Sequence, residues 1–283
     1  MERICTLILL CLSSSMLAQG INVKSKTSKY SLVSEDKYEY EITVTKPPFY
    51  DESKKYKTLY YLDAWWLEDV VKGDYIILNR AGIVEDVILV GISVNGSYES
   101  FTKQRTRDYT PTPNNLDFPF LQTVESGSFL ADATNSGKAE AFKLFLTDKV
   151  FPFILKAYAV DNDDRGLIGH SFGGLFGIYD AMDKEPLFSK YIIISPALWW
   201  NKSLLLYERI ESKLKANTTK SNIFIGYGKS ESVSIVIPTD RLYNYLRENK
   251  IAQKYRLEVY ENDDHISILP KSIYDGIEHF YKK

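Results

Sequence analysis

"RGLIGHSFGGLFGIYDAM" spans Arg165–Met182, and it decides the fold. Arg165–His170 is a short, dense apolar run, the pattern of a strand buried on both faces. From Phe172 onward the apolar residues recur at helical spacing. One small polar residue, Ser171, stands between the two patterns, with glycines crowding both sides. Gly169-His170-Ser171-Phe172-Gly173 reads G-x-S-x-G. A glycine-rich connection without chemistry gives the same letters. A strand before and a helix after make the pattern a nucleophile elbow, where glycines let neighbouring backbone approach without a Cβ in the way. The hydroxyl then stands exposed above the sheet. Behind it, the helix N-terminus offers free N–H groups and a positive dipole end to a developing oxyanion.

The flanking chain repeats the alternation. Residues 37–45 alternate polar and apolar side chains, as a half-exposed strand does. Runs at 57–64, 85–94, 190–196, 221–228 and 254–261 are short and apolar, whereas 67–81, 138–158, 172–183, 202–215, 239–250 and 270–281 carry helical spacing. Strand alternating with helix predicts an α/β fold, a largely parallel sheet covered on both faces. One stretch breaks the rhythm. Residues 95–136 are polar, Pro-containing and weakly periodic, and they follow a predicted central strand at the sheet edge where α/β folds bind ligands. No internal repeat or linker divides the chain, so residues 19–283 read as a single domain.

Bulk composition narrows the function. The chain has 283 residues, 45% apolar and 25% charged, with a net charge of −2 and no long basic run. That balance is ordinary for a globular protein and argues against nucleic acid as a partner. Residues 1–18 differ from the rest. Arg3, an apolar run from Ile4 to Leu12, then small residues ending at Ala18 have the layout of a secretory signal peptide. The run is too short for a stable membrane span. Cleavage after Ala18 leaves Gln19 first and sends the protein to the periplasm or outside the cell. Lipid attachment at Cys11 is the alternative, although Leu9 and Leu10 are bulky for such a site. Both cysteines, Cys5 and Cys11, lie in this leader. The chain after it has no thiol, disulfide or cysteine metal site.

A serine nucleophile needs a base, and there are three histidines. His170 adjoins Ser171, and strand alternation turns it away to pack beneath the elbow. His279 lies on the last amphipathic helix. His265, in "YENDDHISILP" between the last predicted strand and helix, stands where the Ser…acid…His chain order expects the base. The acid should follow the preceding strand. Glu231 is the first acid after the apolar run ending at Gly228, and Asp240 is the next candidate. Asp263 and Asp264 sit too close to His265 in sequence to reach its outer ring nitrogen. The second oxyanion donor belongs in "LDAWWLED", after the predicted strand 57–64. The backbone N–H of Trp65 or Ala64 would act there beside that of Phe172.

Together these residues resemble the esterase family that includes ferric enterobactin and bacillibactin esterases, S-formylglutathione hydrolase, feruloyl and acetyl-xylan esterases, and the mycolyltransferases. "GLIGHSFGGLFGIY" resembles their elbow and "YYLDAWW" their oxyanion strand and loop. "RTRDYTPT", "LFSKYIIISPALWWN" and "DDHISILP" resemble corresponding family segments, and "SPALWWN" leans toward the siderophore trilactone branch. The likeness runs over most of 38–281. It implies an α/β-hydrolase fold, no metal or other cofactor, a serine at Ser171 and a histidine at His265. Ala64 departs from the glycine that many members carry.

Two indole pairs, Trp65-Trp66 and Trp199-Trp200, follow predicted strands at the catalytic edge, where they either stack on substrate rings or pack under the loops. Arg105 and Arg107 precede Asp108, and either meet an anionic substrate or pair internally. The site expected to contact substrate comprises Trp66, Arg107, Trp199 and Trp200. "DNDDR" (161–165) lacks calcium-loop spacing and reads as a solvated turn. The expectation is an exported serine hydrolase of carboxylic esters, with siderophore trilactones as the leading substrate class. The ester would be a small molecule or linked to a polysaccharide. A feruloyl or acetyl-xylan esterase, an acyltransferase and a catalytically silent binding protein remain open on the same fold.

Overall fold

A computed structural model describes residues 25–113, 135–204, 221–249 and 254–283. The expected leader, residues 114–134 of the polar insert and residues 205–220 lie outside the described residues.

The central apolar runs become strands because each is buried on both faces, whereas the run at 254–260 is an edge strand and only half-buried. In β3 (Tyr56–Tyr61), Leu59 and Tyr61 face one core layer while Tyr60 faces the other. In β6 (Lys190–Ile194), Ile192 and Ile194 oppose Ile193 in the same way. With β1 (Thr27–Val33), β2 (Glu39–Thr45), β4 (Val87–Val94), β5 (Val160–His170), β7 (Asn222–Gly228) and β8 (Lys254–Tyr260) they form one eight-stranded sheet, ordered β1-β2-β4-β3-β5-β6-β7-β8. β2 runs antiparallel to both neighbours, and every pairing from β4 to β8 is parallel. This is the α/β-hydrolase architecture.

Helices close both faces. On one side α1 (Ala64–Arg80) and the C-terminal α7 (Leu269–Tyr281) cover Leu59, Ile168, Ile192 and Phe224 with Leu67, Val71, Ile273 and Ile277. On the other lie α3 (Ala139–Phe145), α4 (Phe151–Ala157), α5 (Phe172–Ala181) and α6 (Val233–Asn249). A single π-helical turn, Leu146–Val150, joins α3 to α4. None of the described helices is long and apolar enough to cross a membrane.

Four local features differ from expectation. β1 adds an unexpected edge strand, its Tyr30 and Leu32 packing on the core. Part of the polar insert, Tyr98–Tyr109, is helical (α2), capped by the Ser97 hydroxyl, which accepts from Ser100 N–H. The acidic stretch 161–165 belongs to β5, where the β3 register jumps from Tyr56↔Val160 to Thr58↔Arg165, so the extra residues bulge outward. At 202–203 the expected helix is replaced by left-handed backbone running from Asn201 to Ser203.

Parallel registry sets the functional edge. His170 ends β5 level with Ile194 of β6, which stands level with Gly226 of β7, while Gly228 pairs with Tyr260 of β8. The loops carrying Asp63, Ser171, Ser195, Glu231 and His265 therefore open on the same side of the sheet.

Candidate active site

Ser171 occupies the junction of β5 and α5 with φ 57° and ψ −112°, a conformation that costs an L-residue about 1–3 kcal/mol. Three backbone bonds hold it there. Ser171 N–H donates to Ile194 O at 3.0 Å, and its carbonyl accepts from Leu175 N–H at 2.9 Å and Ala197 N–H at 3.0 Å. Gly169 makes the turn sterically possible, because a Cβ on it would lie 2.2 Å from Gly173 O. Phe172 N–H opens α5 and has no acceptor within the helix, as first-turn amides do not.

His265 lies beside the elbow, its ring centroid 4.4 Å from that of His170. Its Nδ1 stands 2.7 Å from Glu231 Oε2. An ionised carboxylate only accepts, so Nδ1 carries the hydrogen and Nε2 keeps a lone pair for a proton. The Glu231 side chain is fully buried, while that of His265 is about one-third exposed (32%). The other carboxylate oxygen, Oε1, accepts from Ser195 Oγ at 2.6 Å and Gly228 N–H at 2.7 Å. The aspartates before His265 build its loop. Asp264 Oδ1 accepts from Ile266 and Ser267 N–H, which hold its carboxyl below the usual range, and Asp263 pairs with Lys271. Asp240, the second acid candidate, accepts from Tyr227 OH at 2.7 Å.

Across the elbow, Asp63 turns the chain from β3 into α1 through left-handed backbone (φ 56°, ψ 34°). Its carbonyl accepts from Trp66 and Leu67 N–H, while its own N–H donates to Tyr109 OH at 3.4 Å. Arg105 of α2 binds its carboxylate bidentately, at 2.9 and 3.1 Å. The same guanidinium lies 5.2 Å above the Phe172 ring. Ala64 and Trp65, the first residues of α1, thus present N–H groups that have no helical acceptor. Sequence reasoning missed Asp63; for Arg105 it weighed an internal pair, and the pair forms with Asp63 as its partner. Their signal was an acid at a strand-to-helix junction and a cation in a segment with few apolar anchors.

The family model "Esterase", described as "Putative esterase", matches residues 35–267. The chain belongs to this esterase family. It is 29% identical over 246 residues to the ferri-bacillibactin esterase BesA of Bacillus subtilis, covering 82% of this chain and 81% of that one. It is also 33% identical over 124 residues to the siderophore enterobactin esterase of Emericella nidulans, covering 43% and 39% of the two chains. Among solved structures, the BES protein from Bacillus cereus superposes with a TM-score of 0.76 at 24% identity, over 92% of this chain and 98% of that one. The enterobactin and salmochelin hydrolase IroE gives 0.71 at 19%, over 93% and 97%. The protein is a carboxylic-ester hydrolase.

Within this esterase the expected substrate contacts divide. Trp65 is 44% exposed at the rim, stacked on Phe101 at 5.1 Å and donating Nε1 to Gly96 O. Trp65 and Trp66 line an open cleft of about 420 Å³ with Glu41, Glu68 and Lys29. Trp199 is half-buried against Phe172. Trp200 departs from expectation: it is buried, edge-on to Phe172, and its Nε1 donates to Thr112 O at 2.9 Å. Arg107 departs as well. It is buried over the Tyr38 ring and paired with Asp108 and Asp36, because a cation taken from water needs carboxylates beside it. Asp108, fully buried, is pushed up to about 6 by desolvation, against the pull of Arg107.

Proposed function

We propose that this esterase hydrolyses siderophore esters, with Ser171 as nucleophile, His265 as general base and Glu231 as the acid that orients it. The 2.7 Å bond between His265 Nδ1 and Glu231 Oε2, beside a serine in elbow geometry, carries the reading. His265 Nε2 takes the Ser171 proton as Oγ attacks the ester carbonyl. Glu231 keeps the ring in the correct tautomer and stabilises the imidazolium. The N–H groups of Phe172 and Trp65 receive the tetrahedral oxyanion, each worth about 10²–10³ in turnover. His265 then protonates the departing alkoxide, and a water it activates releases the acid from Ser171. Trp65, Trp66 and Trp199 offer aromatic surface to the substrate's rings.

The substrate class is supported by relatives named as esterases of ferri-bacillibactin, enterobactin, triacetylfusarinine C and apo-salmochelin. Residues 1–18 direct export in this reading, and mass spectrometry of the mature protein should find Gln19 at its N-terminus. The deciding experiment is a chromatographic hydrolysis panel of wild type against Ser171→Ala. It includes ferri-bacillibactin, ferric enterobactin, methyl ferulate, acetylated xylan and a p-nitrophenyl ester. Serine-dependent cleavage of the siderophores is expected. Cleavage of ferulate or xylan esters alone would move the substrate to plant polysaccharides, and faster acyl transfer to an added alcohol than to water would make the protein a transferase.

A further inference from the structure

His170, the residue before the nucleophile, is committed to the loop that carries the base. It is 2% exposed, and its Nε2 lies 2.9 Å from the backbone oxygen of His265. A carbonyl oxygen only accepts, so Nε2 bears the hydrogen and the neutral ring leaves Nδ1 bare. That Nδ1 is buried and has no hydrogen-bond partner among the described residues. The two imidazoles lie 4.4 Å apart between centroids and 44° between planes, and Trp66 meets His170 edge-on at 5.7 Å. A bare ring nitrogen in the interior costs stability that an apolar side chain of similar size would not. The position therefore holds something other than filler.

We infer that His170 is a positioning residue for the general base, its Nε2–H fixing the His265 backbone and its uncharged ring stabilising the His265 imidazolium. The inference rests on the Ser171–His265–Glu231 reading above. Two imidazoles in contact cannot both hold a charge, and the surroundings decide between them. Burial pushes the His170 pKa well down, and charges on His265 and Arg105 push the same way. His265, by contrast, has Glu231 on Nδ1 and Asp264 preceding it in the chain. The Arg105 charge facing His170 is itself paired with Asp63. The proton taken from Ser171 thus stays on His265, the ring aimed at the leaving group. An uncharged aromatic ring packed on that cation favours it as other aromatic faces favour cations.

Two substitutions separate the parts of this role. His170→Gln keeps a donor at a similar reach but removes the ring, whereas His170→Leu removes both. The limb of kcat/KM at low pH reports the free-enzyme pKa of the base. Losing the ring destabilises the imidazolium, so in both variants that limb should move down by about half a pH unit. Turnover of a p-nitrophenyl ester should fall about 10- to 100-fold in His170→Leu, as a misplaced catalytic group does, and recover largely in His170→Gln. A merely structural role would lower the melting temperature of both and leave the limb at its wild-type pH, which overturns the inference. If His170→Leu does not fold, the limb of His170→Gln decides alone. Fluorophosphonate labelling of the wild type keeps the two levels apart. Labelling at Ser171 with unshifted variant profiles overturns the role of His170 only, and no labelling overturns the triad reading with it.

Discussion

Arg105 holds Asp63 through two hydrogen bonds, and both side chains are almost fully buried (3% and 0% exposed). The pair links α2 to the loop that turns β3 into α1, so a helix from the polar insert sets the backbone opposite Ser171. Removing one partner strands a charge in the interior, which costs about 3–5 kcal/mol. Asp63→Asn tolerates the left-handed backbone but loses the charge. It should unfold at distinctly lower urea and turn over more slowly than wild type. Adding Arg105→Met should recover part of the stability without restoring turnover, measured by urea unfolding and p-nitrophenyl ester kinetics.

Ser195 should matter to catalysis without touching substrate. Its hydroxyl and the Gly228 N–H share Glu231 Oε1, leaving Oε2 for His265. Ser195 sits at φ 46°, where glycine is unstrained. Ser195→Ala and Ser195→Gly remove the same hydrogen bond, so both should lower kcat by roughly 10-fold with KM little changed. Only the glycine variant relaxes the backbone, and it should melt at the higher temperature of the two.

The elbow itself carries backbone strain at Ser171. Ser171→Ala and Ser171→Gly both remove the hydroxyl, but only glycine accepts φ 57°, ψ −112° freely. Relief of about 1–3 kcal/mol outweighs glycine's entropic cost of roughly 0.5–1 kcal/mol. Calorimetry should therefore place Ser171→Gly about 2–4 °C above Ser171→Ala. Equal melting temperatures would remove the strain argument.

A second pH effect lies far from the site. Asp74 of α1 has one buried carboxylate oxygen without a partner among the described residues, and Asp275 of α7 adds its charge nearby. Burial first, then Asp275, pushes Asp74 up to about 7. An acid with its folded pKa above the unfolded value binds more protons when folded. Stability should thus fall as pH rises from about 4 to 7. Asp74→Asn removes the penalty and should raise stability by about 1 kcal/mol at pH 8, after allowance for solvent screening, with little gain at pH 4. Melting curves at the two pH values check the sign.

Where burial is apolar, the sequence is readable. The runs that became β3 to β8, the Gly-flanked Ser171 and the acid and histidine following β7 and β8 are legible because strand periodicity and chain order fix them. Helix α2 is not, because its buried face includes Gln104, Arg105, Arg107 and Asp108, the last three held by ion pairs, and shows no apolar stripe. For Arg107 the letters allow both substrate contact and pairing with the adjacent Asp108, and only the fold brings in Asp36 to decide for the pair. Trp200 follows a strand at the catalytic edge as Trp199 does, and only the fold of the turn after Pro196 decides which indole reaches the surface.

The sheet order has a consequence for how the molecule is made. Asp63, Ser171, Glu231 and His265 follow β3, β5, β7 and β8, so the pieces meet only after parallel strands far apart in the chain have found their register. Such non-local pairings form late, because loop closure precedes any reward in contacts. Until β8 docks beside β7, the loop carrying His265 cannot reach Glu231. The contact between Glu231 and His265 thus exists only in a chain whose sheet is complete through its last strand.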